Sequence, residues 1–174
     1  MVRKNRGVTT NGRTDNDRAG GAASGVTARP DVLPRHLLVI RTSAMGDVAM
    51  LPHALRALMA AYPDLRVTVA TRAMFRPFFE GLDVGFLDVD TQGAHRSLMG
   101  MWRLAAEARR LGVDAVADVH DVLRSKTFRL LMRLHGVPEA SIYKGRAEKR
   151  EFIRCGGRGM EPLRHTVLRY CDTF

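Results

Sequence analysis

The stretch "HLLVIRTSAMGDVAMLPHAL", His36 to Leu55, joins an apolar run, a short polar elbow and a second apolar pattern. The run His36–Ile40 is short, unbroken and rich in aliphatic side chains, as expected of a strand buried on both faces. Beyond the elbow, Leu51, Ala54, Leu55, Leu58 and Met59 recur at helical spacing as far as "YPD", where Pro63 stops the helix. A buried strand that turns through a polar elbow into an amphipathic helix is the first half of a βαβ unit. Asp47, which follows Gly46 in that elbow, has two readings. As a cap it accepts N–H bonds at the helix start, worth about 1 kcal/mol. As a ligand-facing carboxylate it is a general base for a hydroxyl. A helix N-terminus favours the anion and weakens such a base, so a catalytic role rests on positioning. Gly46 allows a positive φ or close helix–strand packing.

Working outward from the elbow, "RVTVAT" (66–71), "GFLDV" (85–89), "DAVADV" (114–119) and "ASIY" (140–143) read as further strands. Between them lie a short helix through "MFRPFFE", limited by Pro77, and a stripe of Leu98, Met101, Trp102, Ala105 and Ala108 that Gly112 ends. "LRSKTFRLLMRLH" (123–135) is another helix, and Phe128, like Trp102, is assigned to a core stripe rather than to a stacking platform. The alternation predicts an α/β fold: an open, mainly parallel Rossmann-like sheet with helices on both faces. Glu161–Phe174 starts a helix with Leu163, Val167, Leu168 and Cys171 on one side. Residues 1–33 carry no apolar period and read as a disordered basic tail.

At 174 residues, with 45% hydrophobic and 26% charged side chains, the chain has the size and balance of one folded domain. Its net charge of +10 points to anionic partners. Arg3, Lys4, Arg6, Arg13, Arg18 and Arg29 against Asp15, Asp17 and Asp31 leave most of that charge to the rest of the chain. Cys155 and Cys171 form neither a C-x-x-C pair nor a zinc spacing, and a reducing cytosol is the simplest setting. No apolar run reaches the roughly 18 residues a membrane span needs, so membrane contact would be peripheral. No nucleic-acid-binding motif is present.

In open parallel sheets ligands bind beyond the carboxyl ends of the strands. The loops there are "RTSAMGD" (41–47), "TRAMFR" (71–76), "HDVLRSK" (120–126) and "YKGRAEKR" (143–150). The elbow is neither a P-loop nor a dinucleotide fingerprint. Ser43, Arg72, Arg76, His120, Arg124 and Ser125 sit at strand ends, His120 either facing a ligand or serving as a structural hydrogen-bonder. Lys126, Arg129 and Arg133 share one helix face, and Lys144, Arg146, Lys149, Arg150 and Arg154 form a dense basic run. Each basic set is either a solvated face or a groove for an anion.

Together these motifs resemble glycosyltransferase family 9, the lipopolysaccharide heptosyltransferases. The resemblance lies in the first strand, the "RTSAMGD" elbow and the "PHALRALM" helix, followed in family order by "DAVADVHDVLRSKTFRLLMRLHGV", "YKGRAEKRE" and "RHTVLRYCDTF". It runs from about Arg35 to Phe174. It implies the amino-terminal, acceptor-side half of a GT-B enzyme that transfers a sugar, without metal or other cofactor, from a nucleotide-sugar such as ADP-heptose to a lipopolysaccharide inner-core acceptor. Asp47 falls on the family's catalytic base, with capping compatible with that role. Ser43 and Gly46 shape the elbow, and Arg72, His120, Arg124, Ser125, Lys144, Arg146 and Lys149 are the candidate substrate-binding residues. It further implies an acceptor-binding domain over 34–160, the start of an interdomain linker helix over 161–174 and a cytoplasmic place near the inner membrane face. The donor pocket belongs to a second domain, so the chain reads as a truncated half whose activity alone is doubtful. The alternative is a non-catalytic Rossmann-like module that binds an anionic glycolipid or a protein partner.

Overall fold

The computed structural model describes residues 33–157 and 161–174, so all of the expected basic tail except Leu33 lies outside the described residues. The expected strands form at β1 (His36–Ile40), β2 (Arg66–Thr71), β3 (Gly85–Asp88), β4 (Ala115–Asp118) and β5 (Glu139–Ser141). They make one all-parallel sheet in the order β3-β2-β1-β4-β5.

Burial of β1 on both faces follows from the pleat. Leu37 and Val39 point into one core with Val67 and Val69 of β2, and Leu38 and Ile40 into the other with Val116 of β4. Against the first face packs α1 (Met45–Ala61), through Val48, Leu51, Ala54, Leu55 and Leu58. A 3-10 helix (Ala73–Phe79), with Pro77 inside it, adds Phe75 and Phe79 to the same core. Against the second face pack α2 (Leu98–Arg110) and α3 (Leu123–Leu134). Ser97 caps α2 by accepting from the Gly100 amide at 3.1 Å, and Gly112 ends it at φ 75°. Helices thus cover both faces of an α/β Rossmann-like sheet.

Several expectations fail in informative ways. Met101, Ala105 and Ala108 are buried as their stripe requires, and Leu104 completes it, but Leu98 and Trp102 of the same stripe are exposed. Helical spacing tells which residues share a face, not how far round the neighbouring elements reach. The basic run after β5 is not a loop but a helix, α4 (Arg146–Arg154), with no buried residue. At the end of the chain, α5 (Thr166–Cys171) packs on α1, and the expected apolar side holds only in part: Val167 packs against the first core. Leu168 and Cys171 are exposed, while Arg169 and Tyr170 are buried.

Candidate functional site

The strand order reverses between β1 and β4, the place where an open parallel sheet leaves a crevice at its carboxyl edge. Polar residues fill both sides of that point. Arg41 Nη1 donates to the Val119 carbonyl at 2.5 Å. The two nitrogens of His120 meet hydroxyls from the opposite loop, Nδ1 at 3.2 Å from Thr42 Oγ1 and Nε2 at 3.0 Å from Ser43 Oγ. The amides of His120 and Asp121 donate to Oδ1 of the fully buried Asp118, at 2.9 and 2.8 Å, which fixes the turn after β4.

Burial, and after it the nearby Arg41 charge, pushes the His120 imidazole down to about 4. The ring is therefore neutral at pH 7 and offers one donor and one acceptor to the two hydroxyls. An unfolded His120 would take its proton near 6.5, so between there and about 4 the unfolded chain binds more protons. Stability is full above about pH 6.5 and falls as the pH drops towards 4, by roughly 3 kcal/mol for this group. His36, lowered by burial and then by Arg66, acts in the same direction. Urea unfolding between pH 7 and 5 is expected to show about 2 kcal/mol of this loss, and His120→Gln to flatten it; an unchanged slope would mean that His120 does not set the pH dependence.

Asp47 does not cap α1. The N-cap is Ala44, and Asp47 lies in the first turn with its carboxylate paired to Arg41 Nη2. Arg41 is nearly buried and the Asp47 side chain is 37% exposed, so part of the carboxylate stays open to solvent. Behind the pair stands Tyr170 of α5. Its hydroxyl donates to the Asp47 carbonyl at 3.1 Å, and the Arg41 guanidinium lies 5.9 Å from its ring centre. Burial raises the phenol to about 12 and keeps it a donor. Gly46 has neither a positive φ nor a close neighbour. A Cβ there would meet nothing within 4 Å, so the expected backbone reasons for glycine do not hold and the space beside the elbow is open.

An open cleft of about 320 Å³ lies at this carboxyl edge, lined among others by Thr42, Ser43, Arg72, Thr91, His120 and Arg124. Four of the expected substrate-binding residues, Ser43, Arg72, His120 and Arg124, thus line one cleft. Asp47 is not part of it and sits on the α1 side of the elbow. Ser125 is buried and turned inward, where its hydroxyl accepts from the Val122 amide and donates to the Val122 carbonyl, both at 3.0 Å. Lys144 donates to the Asp121 carbonyl at 2.8 Å, and burial lowers its ammonium. The Asp121 carboxylate gathers Lys126 at 3.4 Å, Arg129 and Arg146 at 3.6 Å, and Lys144 at 4.0 Å. Lys149 is exposed on α4 and Arg76 is paired with Asp88.

Arg129 is no solvated charge. Its Nη1 donates to Glu139 at 2.6 Å, and its Nε stands 3.1 Å from Asp118 Oδ2. The Nε–H is not aimed at that oxygen, so this second contact is a charge attraction without an aligned hydrogen bond. Among residues the sequence reading passed over, Arg41 had a local signal: a guanidinium directly after an apolar strand and six positions before Asp47. Tyr170 had none, because its partners are more than a hundred positions away.

No family model and no curated protein matches the chain. Solved structures do. A glycosyltransferase family 9 protein from Veillonella parvula superposes with a TM-score of 0.60 at 21% identity, over 80% of this chain and 40% of that one. The E. coli heptosyltransferase WaaC with ADP gives 0.53 at 21% identity, over 79% and 45%. E. coli ADP-heptose lps heptosyltransferase II gives 0.52 at 22% identity, over 79% and 39%. The resemblance in motifs is thus matched by a shared fold, and the chain spans less than half the length of each of these structures.

Proposed function

We propose that the chain is the acceptor-binding half of a glycosyltransferase resembling the heptosyltransferases. The observation that carries this reading is the cleft at the β1/β4 reversal, where Ser43, Arg72, His120 and Arg124 converge beside an elbow bearing a half-exposed carboxylate. Arg72 and Arg124 bind carboxylates or phosphates of an acidic, lipid-linked inner-core saccharide. Neutral His120 holds Ser43 and Thr42 in place. Asp47, aimed by Arg41, takes the proton of the acceptor hydroxyl. The hydroxyl oxygen then attacks the anomeric carbon of a nucleotide-sugar of the ADP-heptose kind, held by a donor-binding domain, and the nucleoside diphosphate leaves from the opposite face with inversion.

Calorimetric titration of the chain with ADP-heptose and, separately, with a deacylated inner-core acceptor tests the assignment. Acceptor binding that weakens with Arg72→Ala and Arg124→Ala, without donor binding, supports it. Binding of neither by a folded chain, or of the donor alone, overturns it.

A second reading, a non-catalytic module for an anionic glycolipid or a protein partner, is favoured by one observation. The Asp47 carboxylate already has a partner in Arg41, as a structural carboxylate would.

A further inference from the structure

The second face of the sheet is covered by α2 and α3, and these two helices leave large apolar side chains outside. Leu98 is 72% exposed, Met99 64% and Trp102 52% on α2, and Leu134 is 70% exposed on α3. The Trp102 and His135 rings stand nearly perpendicular, 6.2 Å between centres, so the exposed side of α2 adjoins the end of α3 there. A contiguous patch of this kind marks an interaction surface.

Its surroundings say what it meets. Arg103, Arg109 and Arg110 of α2 and Lys126 and Arg133 of α3 are exposed, and Glu107 is the only acidic residue on either helix. Among the described residues, Arg103, Arg109 and Arg110 have no ion-pair partner. An exposed tryptophan and leucines with unpaired arginines beside them suit a boundary where headgroups are anionic and acyl chains begin. A protein partner's apolar face would need carboxylates to meet the same arginines. Leu123, at the start of α3 and 83% exposed, also lines the cleft.

We propose that the exposed face of α2 and α3 docks on an anionic lipid surface, with Trp102, Leu98 and Leu134 entering the headgroup boundary and Arg103 and Arg110 at the phosphates. The docking rests on this face alone. Only its consequence, that a lipid-linked acceptor is met at that surface, rests on the function proposed above.

Trp102 is the only tryptophan of the chain and serves as its own reporter. With vesicles of phosphatidylglycerol and phosphatidylcholine its emission is expected to move to the blue and the chain to sediment with them, less at high salt. Vesicles of phosphatidylcholine alone should do neither. The variants Leu98→Asp/Leu134→Asp and Arg103→Glu/Arg110→Glu, all at exposed positions, should each weaken sedimentation by about tenfold or more. Absence of binding overturns the proposal. So does sedimentation with unshifted Trp102 emission, which would assign the lipid contact to another basic part of the chain. A blue shift that follows protein concentration without lipid would assign the face to a second copy. Titration with the deacylated acceptor is independent of these variants, so failure of the docking is distinguishable from failure of the proposed function.

Discussion

Asp47→Asn is expected to lower sugar transfer by about 10²- to 10⁴-fold in a two-domain protein that joins this chain to a donor-binding half, with acceptor affinity nearly unchanged. An amide cannot take the acceptor's proton, and loss of a general base costs about that much. Acceptor binding depends on other side chains, Arg72 and Arg124, so the defect belongs in kcat rather than in KM. The asparagine keeps an oxygen for the Arg41 guanidinium. Since the Asp47 side chain is 37% exposed, losing the charge should cost only about 1 kcal/mol of stability. Steady-state kinetics and urea unfolding of the same variant separate the two readings of this residue. Transfer kept near the parent rate, with stability lowered by several kcal/mol, would make Asp47 the partner of a buried arginine and nothing more.

Arg129→Ala should be the most damaging charge removal in the fold, at about 3–5 kcal/mol in urea unfolding. It strips the Arg129 guanidinium from Asp118, which is fully buried, and from Glu139, whose side chain is 13% exposed. Removing one partner of a buried ion pair leaves the other's desolvation uncompensated. Arg133→Ala, four positions on and largely exposed at 4.0 Å from Glu139, should cost no more than about 0.5 kcal/mol. Arg129→Lys should fall between, because a single ammonium cannot reproduce a fork that spans two carboxylates. Equal effects at 129 and 133 would restore the reading of this helix face as merely solvated. Asp118 also anchors the His120 and Asp121 amides, so the same variant should loosen the turn that shapes the cleft.

The elements that the sequence reading recovered are those whose signal is local. His36–Ile40 and Arg66–Thr71 are apolar runs with nowhere to go but between two helical layers, and Leu51, Ala54, Leu55 and Leu58 repeat at the helical period. The missed helix, Arg146–Arg154, has no buried residue and so no apolar stripe to read. The 3-10 turn at Ala73–Phe79 carries a proline that hid its type. In the site, Ser43, Arg72, His120 and Arg124 could be placed at strand ends, and parallel strands bring such ends to one edge. That Ser125 turns inward to the Val122 backbone could not be read, because a serine near a helix start suits either role.

Periodicity and the alternation of elements along the chain were therefore in the sequence itself: an open parallel sheet, helices on both faces, and the elbow at its carboxyl edge. Tertiary structure alone decided what each polar group touches. It paired Asp47 with Arg41 instead of the helix amides, set Tyr170 of the last helix against Asp47, drew Arg129 onto Asp118 and Glu139, and left Trp102 outside. The physical reason is range. Backbone conformation and burial period are set by neighbours within a few residues, whereas charges and hydroxyls find partners from strands and helices that meet only after the chain has folded.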